Sequence, residues 1–216
     1  MLKKTFWFPI ILMYLIAIFW AFASAINAEI TQEPSVKAVE PESNFQKAHG
    51  FFLKKDFKAA ATEIQKGAEI LKKEAVNATE EGKEALTDSM NELEKLAKDV
   101  EKGAVTSEKK LKDAFVRANY ALANHQYLKA SESWAKKEAK RTGHALKAAT
   151  QHLEQAAKWS GHKLETDTVE VIKGTRKVAG KLIQGIGGVP EEVGKDIKDI
   201  GNEISKLGKK IKPEEK

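Results

Sequence analysis

The sequence predicts an all-α protein, an antiparallel bundle of helical hairpins with an internal duplication suggested within it. Three observations carry this. Of the five prolines only Pro190 and Pro213 follow Pro41, so the field from Phe45 to Val189 is free of the residue that breaks helices. Ala, Lys, Glu and Leu, all strong helix formers, dominate that field. No stretch alternates apolar and polar residues with the β-branched enrichment of a strand.

The chain has 216 residues, 42% of them apolar and 31% charged, which points to one modest core. Cysteine is absent, and with it disulfides, thiolate metal sites and a thiol nucleophile. Residues 1–28 read as an export signal: Lys3 and Lys4 precede an apolar block from Phe6 to Ala23, and small residues follow at Ala23, Ser24, Ala25 and Ala28. An N-terminal membrane anchor is the alternative, because the uncharged run from Thr5 to Ala28 is long enough to span a bilayer. Lysines before the block and acids after it place the rest of the chain outside the cytoplasm on either reading, periplasmic or secreted, or held at the inner membrane. Residues 29–42, with two prolines and several glutamates, read as an acidic linker.

A helical bundle is expected over 43–161. Phe45, Ala48, Phe52 and Leu53 share one face before a turn near Lys55-Asp56. Phe57, Ala60, Ala61, Ile64, Ala68 and Leu71 continue at helical spacing to Asn77-Ala78-Thr79, where Thr79 can cap the next helix. Leu86, Met90, Leu93, Ala97 and Val100 form a stripe closed by Gly103. Ser107 then caps a helix bearing Leu111, Ala114, Phe115, Ala118 and Leu122, and a turn is expected at Asn124-His125-Gln126. Beyond it a long Ala-rich helix runs from Tyr127 to a stop at Gly161.

A shift of seventy positions brings Phe45 onto Phe115, Ala48 onto Ala118, Phe52 onto Leu122, Phe57 onto Tyr127, Ala60 onto Ala130 and Ile64 onto Trp134. Phe52, Phe57, Ile64, Leu122, Tyr127 and Trp134 are therefore the expected buried residues of two hairpins. With a small residue mid-helix, an aromatic after the turn and Ala three further on, 45–64 and 115–134 resemble the helix-turn-helix of tetratricopeptide-type repeats. That resemblance implies a protein-binding or scaffolding role.

Chemistry is sparse. His144 and His152 lie eight apart on one helical face, but a helical metal pair needs spacing i,i+4, and no histidine has Glu three positions before it. Gly185-Ile186-Gly187-Gly188 lacks the preceding strand of a dinucleotide fingerprint. No catalytic residue, metal ligand or cofactor is expected, and the chain is not read as an enzyme.

Charge is uneven. From Glu108 to Lys163 there are twelve Lys and Arg against five acids. Lys136, Lys140, Arg141, His144 and Lys147 form a basic strip, flanked by Trp134 and Trp159, that suits an anionic partner. The partners expected are a protein or an anionic envelope surface, with membrane association and self-association as further options and nucleic acid well behind.

Residues 162–216 read as an amphipathic tail. Ile186, Val193, Ile200 and Leu207 recur every seven residues, as do Ile183, Ile197, Ile204 and Ile211, and glycine follows the first set at Gly187, Gly194, Gly201 and Gly208. Interior glycines each weaken a helix by about 1 kcal/mol, so folding of the tail should depend on a surface: its own bundle, a second copy or partner, or a membrane. From Val171 to Ile211 the composition is similar to the amphipathic repeats of apolipoprotein-like and late-embryogenesis-abundant-like proteins, which implies lipid binding or stress protection. The expected function is thus an exported interaction or scaffolding protein of the cell envelope, with a membrane-surface or protective protein as the alternative.

Overall fold

The computed structural model describes residues 41–161, 163–187 and 189–211. The expected export block and nearly all of the acidic linker lie outside them. Among the described residues seven helices run in order: α1 (Glu42–Leu53), α2 (Phe57–Val76), α3 (Glu80–Glu101), α4 (Glu108–Ala135), α5 (Ala139–Ser160), α6 (Thr166–Ile183) and α7 (Pro190–Ile211). No strand occurs among the described residues, and no helix there is long and apolar enough to cross a membrane.

Local chemistry sets most of the boundaries. Asp56 caps α2 by accepting from the amide of Ala59, 3.1 Å away, and Thr79 caps α3 by accepting from Gly82 at 3.3 Å. Ser107 holds the cap position of α4 without a side-chain bond to the helix. Left-handed glycines follow three helices, Gly103 after α3, Gly161 after α5 and Gly185 after α6. Two other left-handed residues are lysines, Lys55 with φ 60° and Lys137 with φ 61°. A side chain with a Cβ is disfavoured there by about 1–2 kcal/mol.

These two lysines mark a structural repeat of the bundle. Helices α1 and α4 end at Leu53 and Ala135, α2 and α5 begin at Phe57 and Ala139, α3 and α6 end at Glu101 and Ile183, and α4 and α7 begin at Glu108 and Pro190. Every pair differs by 82 positions, and so do Lys55 and Lys137, and Gly103 and Gly185. Burial follows the same register: Ile64 and Leu146, Leu71 and Leu153, Val100 and Leu182, Leu111 and Val193, Ala118 and Ile200, and Leu122 and Ile204 are all buried. The register of seventy is corrected accordingly. It aligned Phe45 with Phe115, whose rings stack across the first core with centroids 4.3 Å apart; they are contact partners and not equivalent positions.

Helix α4 serves both halves. The first unit comprises α1, α2, α3 and the N-terminal part of α4, where its apolar cluster ends at Leu122, and the C-terminal end of α5 joins it through Ala156 and Trp159. The second comprises the C-terminal part of α4 with α5, α6 and α7, and its cluster starts at Ala123. The turn expected at Asn124-His125-Gln126 is absent, since α4 runs unbroken through it; His125 and Gln126 are buried, and tertiary contact outweighs the modest local cost of polar residues in a helix. The break lies instead at Lys136-Lys137-Glu138, inside what read as one long helix. Of the six residues ranked as buried, Phe52, Ile64 and Leu122 are, whereas Phe57, Tyr127 and Trp134 are half-buried.

The heptad segment forms two helices, α6 and α7, which turn back on each other. Ion pairs join Lys181 to Glu192 (3.5 Å) and Lys210 to Glu165 (2.8 Å), so the pair is antiparallel. Between them Thr168 Oγ1 donates to the buried Glu203 carboxylate at 2.5 Å. Val193, Ile197, Ile200 and Ile204 fill the second core. Gly201 and Gly208 accept the rings of Tyr127 and Tyr120, because a Cβ would lie 2.7 Å and 2.5 Å from them, while Gly194 has nothing within 4 Å. Helices α5 and α6 approach closely at Gly143, where a Cβ would fall 2.7 Å from the carbonyl oxygen of Ala179.

These environments rank alanine substitutions. Gly143→Ala should cost about 1–3 kcal/mol, because backbone must move. Gly180→Ala and Gly194→Ala, with open space around them, should gain up to about 1 kcal/mol of helix propensity. Gly201→Ala and Gly208→Ala should fall between, since a tyrosine ring tip can swing aside. Urea unfolding midpoints of the five variants would test this order.

Candidate docking end and buried junction

Two features outside the regular core could carry function. The first is the basic strip. Lys136 sits at the C-terminal cap of α4 and Lys140, Arg141, His144 and Lys147 on the outer face of α5; all five are exposed. Glu132 pairs with Lys136 at 2.6 Å and holds its ammonium pKa above the ordinary lysine value, and Glu138 pairs with Arg141 at 3.1 Å. Trp159 does not flank this strip. It packs edge-on against Phe115 in the first core, centroids 5.1 Å apart, and donates from Nε1 to the buried Glu42 carboxylate at 3.0 Å.

The expected tail residues separate. Val193, Ile197, Ile200 and Ile204 are buried, and Ile183, Leu207 and Ile211 are half-buried against the helices. Only Ile186 faces solvent, 69% exposed, joined in the same loop by Val189 at 59%. This loop lies at the end of the second unit where α5 begins, because Gly143 packs on Leu182 and Ile183 at the end of α6. The structure thus brings Ile186 and Val189 to the same end as Lys136, Lys137 and Lys140. Residue patterning could not pair them, because Ile186 shares the heptad of residues that go to the core.

The second feature is a polar cluster at the junction of the two units, which the sequence reading missed. His125 and Gln126 of α4 meet Glu74 of α2, and His152 of α5 meets Asn119 of α4. Gln126 donates to Glu74 at 3.4 Å, and His125 Nε2 lies 3.4 Å from the same carboxylate, within ion-pair reach but without hydrogen-bond alignment. His125 holds the Glu74 carboxyl below its ordinary pKa against the opposing effect of burial. Asn119 donates to the carbonyl of Phe115 at 3.1 Å, which turns its Oδ1 toward His152 Nδ1 at 3.2 Å and assigns the proton to that nitrogen. Burial pushes the His152 pKa down to about 4. His144 and His152, one face in the sequence, thus part into an exposed and a buried residue. Among the described residues no group of three or more His, Asp or Glu is placed to hold a metal ion.

Between α4 and α7, a groove of about 510 Å³ runs past Tyr120, Tyr127 and Gly201. No family model, curated protein or solved structure matches this chain.

Because the folded pKa of His152 is depressed from 6.5 to about 4, its contribution to stability is whole above pH 6.5 and is lost as pH falls toward 4. The slope should approach 1.4 kcal/mol per pH unit in that window, on the order of one proton taken up on unfolding. Urea unfolding at stepped pH should show it, and His152→Gln should remove most of this slope. An unchanged slope in that variant would assign the acid sensitivity elsewhere.

Proposed function

We propose that this chain is an exported helical scaffold of the cell envelope which binds an anionic partner through the lysine-bearing end of its second four-helix unit. The observation that carries the reading is the meeting, at that one end, of Lys136, Lys137 and Lys140 with the exposed Ile186 and Val189. Cations beside solvent-facing aliphatic side chains offer both an electrostatic attraction and apolar area to a partner. The packed tail favours the scaffold over the stress-protective alternative, since the apolar stripe that would adsorb to lipid is mostly occupied by the second core. The charge pattern around the N-terminal apolar block supports delivery outside the cytoplasm.

Two measurements test the parts separately. A reporter fused after Lys216 should be active only outside the cytoplasm; cytoplasmic activity would sink the export reading. A photo-crosslinking residue at Lys140, His144 or Ile186 should capture a partner in intact cells, and one at the exposed Glu69 of α2 should not. Equal capture at all four positions would remove the assignment of the docking end.

A further inference from the structure

We infer that the molecule has two equivalent docking ends, both for anionic phospholipid, so that one chain can bridge two lipid surfaces. This rests on reading the lysine-bearing end as a docking surface and extends it by the structural repeat. The register of 82 places Lys54, Lys55 and Lys58 at the positions of Lys136, Lys137 and Lys140. Each turn holds three lysines against one acid, Asp56 or Glu138, and at the second end Glu132 of the preceding helical turn also pairs with Lys136.

The turn geometry is the same at both ends. Lys54 donates to Gly50, Lys55 to Phe52 and Asp56 to Phe51, and Lys136 donates to Glu132, Lys137 to Trp134 and Glu138 to Ser133, all between backbone atoms. The second lysine of each pair occupies a left-handed conformation that, among the described residues, is otherwise held by glycine, at Gly103, Gly161, Gly185 and Gly187. A disfavoured conformation kept twice, with the same side chain, argues that the side chain is what the turn is for.

Exposed apolar side chains gather at these ends. Among the described residues four large apolar side chains are exposed: Leu53 adjoins Lys54, Ile186 and Val189 lie at the end that carries Lys136 and Lys137, and Val76 lies elsewhere. Lysines beside solvent-facing aliphatic tips suit an anionic bilayer interface, where the tips enter the headgroup boundary and the ammonium groups meet phosphate. The two ends face away from each other along α4. The first turn lies beside the start of α4, since His49 meets Glu108 at 2.8 Å and Gly103 packs on Phe57, and the second closes its far end. A helix of this length holds them about 42 Å apart.

The test uses the exported chain with vesicles of phosphatidylglycerol mixed with phosphatidylcholine, and with phosphatidylcholine alone. Lys54→Gln, Lys55→Asn and Lys58→Gln neutralise the first end, and Lys136→Gln, Lys137→Asn and Lys140→Gln the second; asparagine tolerates the left-handed conformation. Circular dichroism confirms that each variant stays helical. The unaltered chain should cluster the anionic vesicles by light scattering and not the neutral ones. Each single-end variant should keep its preference for anionic vesicles in co-sedimentation but lose clustering, and the double variant should lose at least roughly tenfold of that preference. Clustering by both single-end variants, or a response to soluble polyglutamate with none to vesicles, overturns the proposal. If only the second-end variant loses the anionic preference, bridging fails while the docking end of the second unit stands. If neither end matters, both readings fall.

Discussion

Helix α4 runs unbroken through both apolar cores, and α5 packed along it also reaches both, through Ala156 and Trp159 in the first and Leu146 and Leu153 in the second; the continuity of α4 is the constraint on which the described fold depends. Its first half supplies Leu111, Phe115, Ala118 and Leu122 to one cluster, and its second half supplies Ala123 and Ala130 to the next. The stacked rings of Phe45 and Phe115 bind α1 across the first half. Burying such a ring stabilises by roughly 1.5–3 kcal/mol, and a well-placed aromatic pair adds about 0.5–1.5 more. Because a helix is stiff over this length, the two units cannot be placed independently, and the ends that carry the lysine turns are set by the same element.

Where the two cores meet, the chain places polar side chains. His125, Gln126, Asn119 and His152 are buried there, and neither ring nitrogen of His125 has a hydrogen-bond partner among the described residues. Nε2 of His125 is within ion-pair reach of Glu74 but poorly aligned, and a buried polar group that lacks a well-formed hydrogen bond costs about 1–3 kcal/mol. The same groups make the fold responsive to acid, through the depressed pKa of His152.

Surface and core divide the charged residues in a consistent way. Ion pairs such as Arg176 with Glu154, two parallel bonds at 2.8 Å and 2.6 Å, tie α6 to α5 along half-exposed seams. Lysines at the two turns stand clear of the packed faces and contribute little to stability, as exposed charges generally do. Their value to the molecule lies in the field they present, which is why the proposed function is placed on them and not on the paired residues of the seams.

The helical class, the stripes of α2 and α3, the turn near Lys55-Asp56, the cap at Thr79 and the stops at Gly103 and Gly161 were legible in the sequence, because each depends on neighbours within a turn or two of helix. So were the individual lysines of the basic strip, since a long charged side chain stays in water wherever the helix goes. Long-range packing decided the remainder. Asn124-His125-Gln126 looks like a turn until burial on α2 and α5 holds it helical, and Lys137 ends a helix by a conformation its side chain disfavours. The heptad predicted an apolar stripe but not its two-helix break, nor which glycines would receive a tyrosine ring. The repeat of 82 was hidden for the same reason. Equivalent core positions exchange Phe for Ile and Leu for Val, so that only the shared helix ends and left-handed turns, set by tertiary contact, reveal the correspondence.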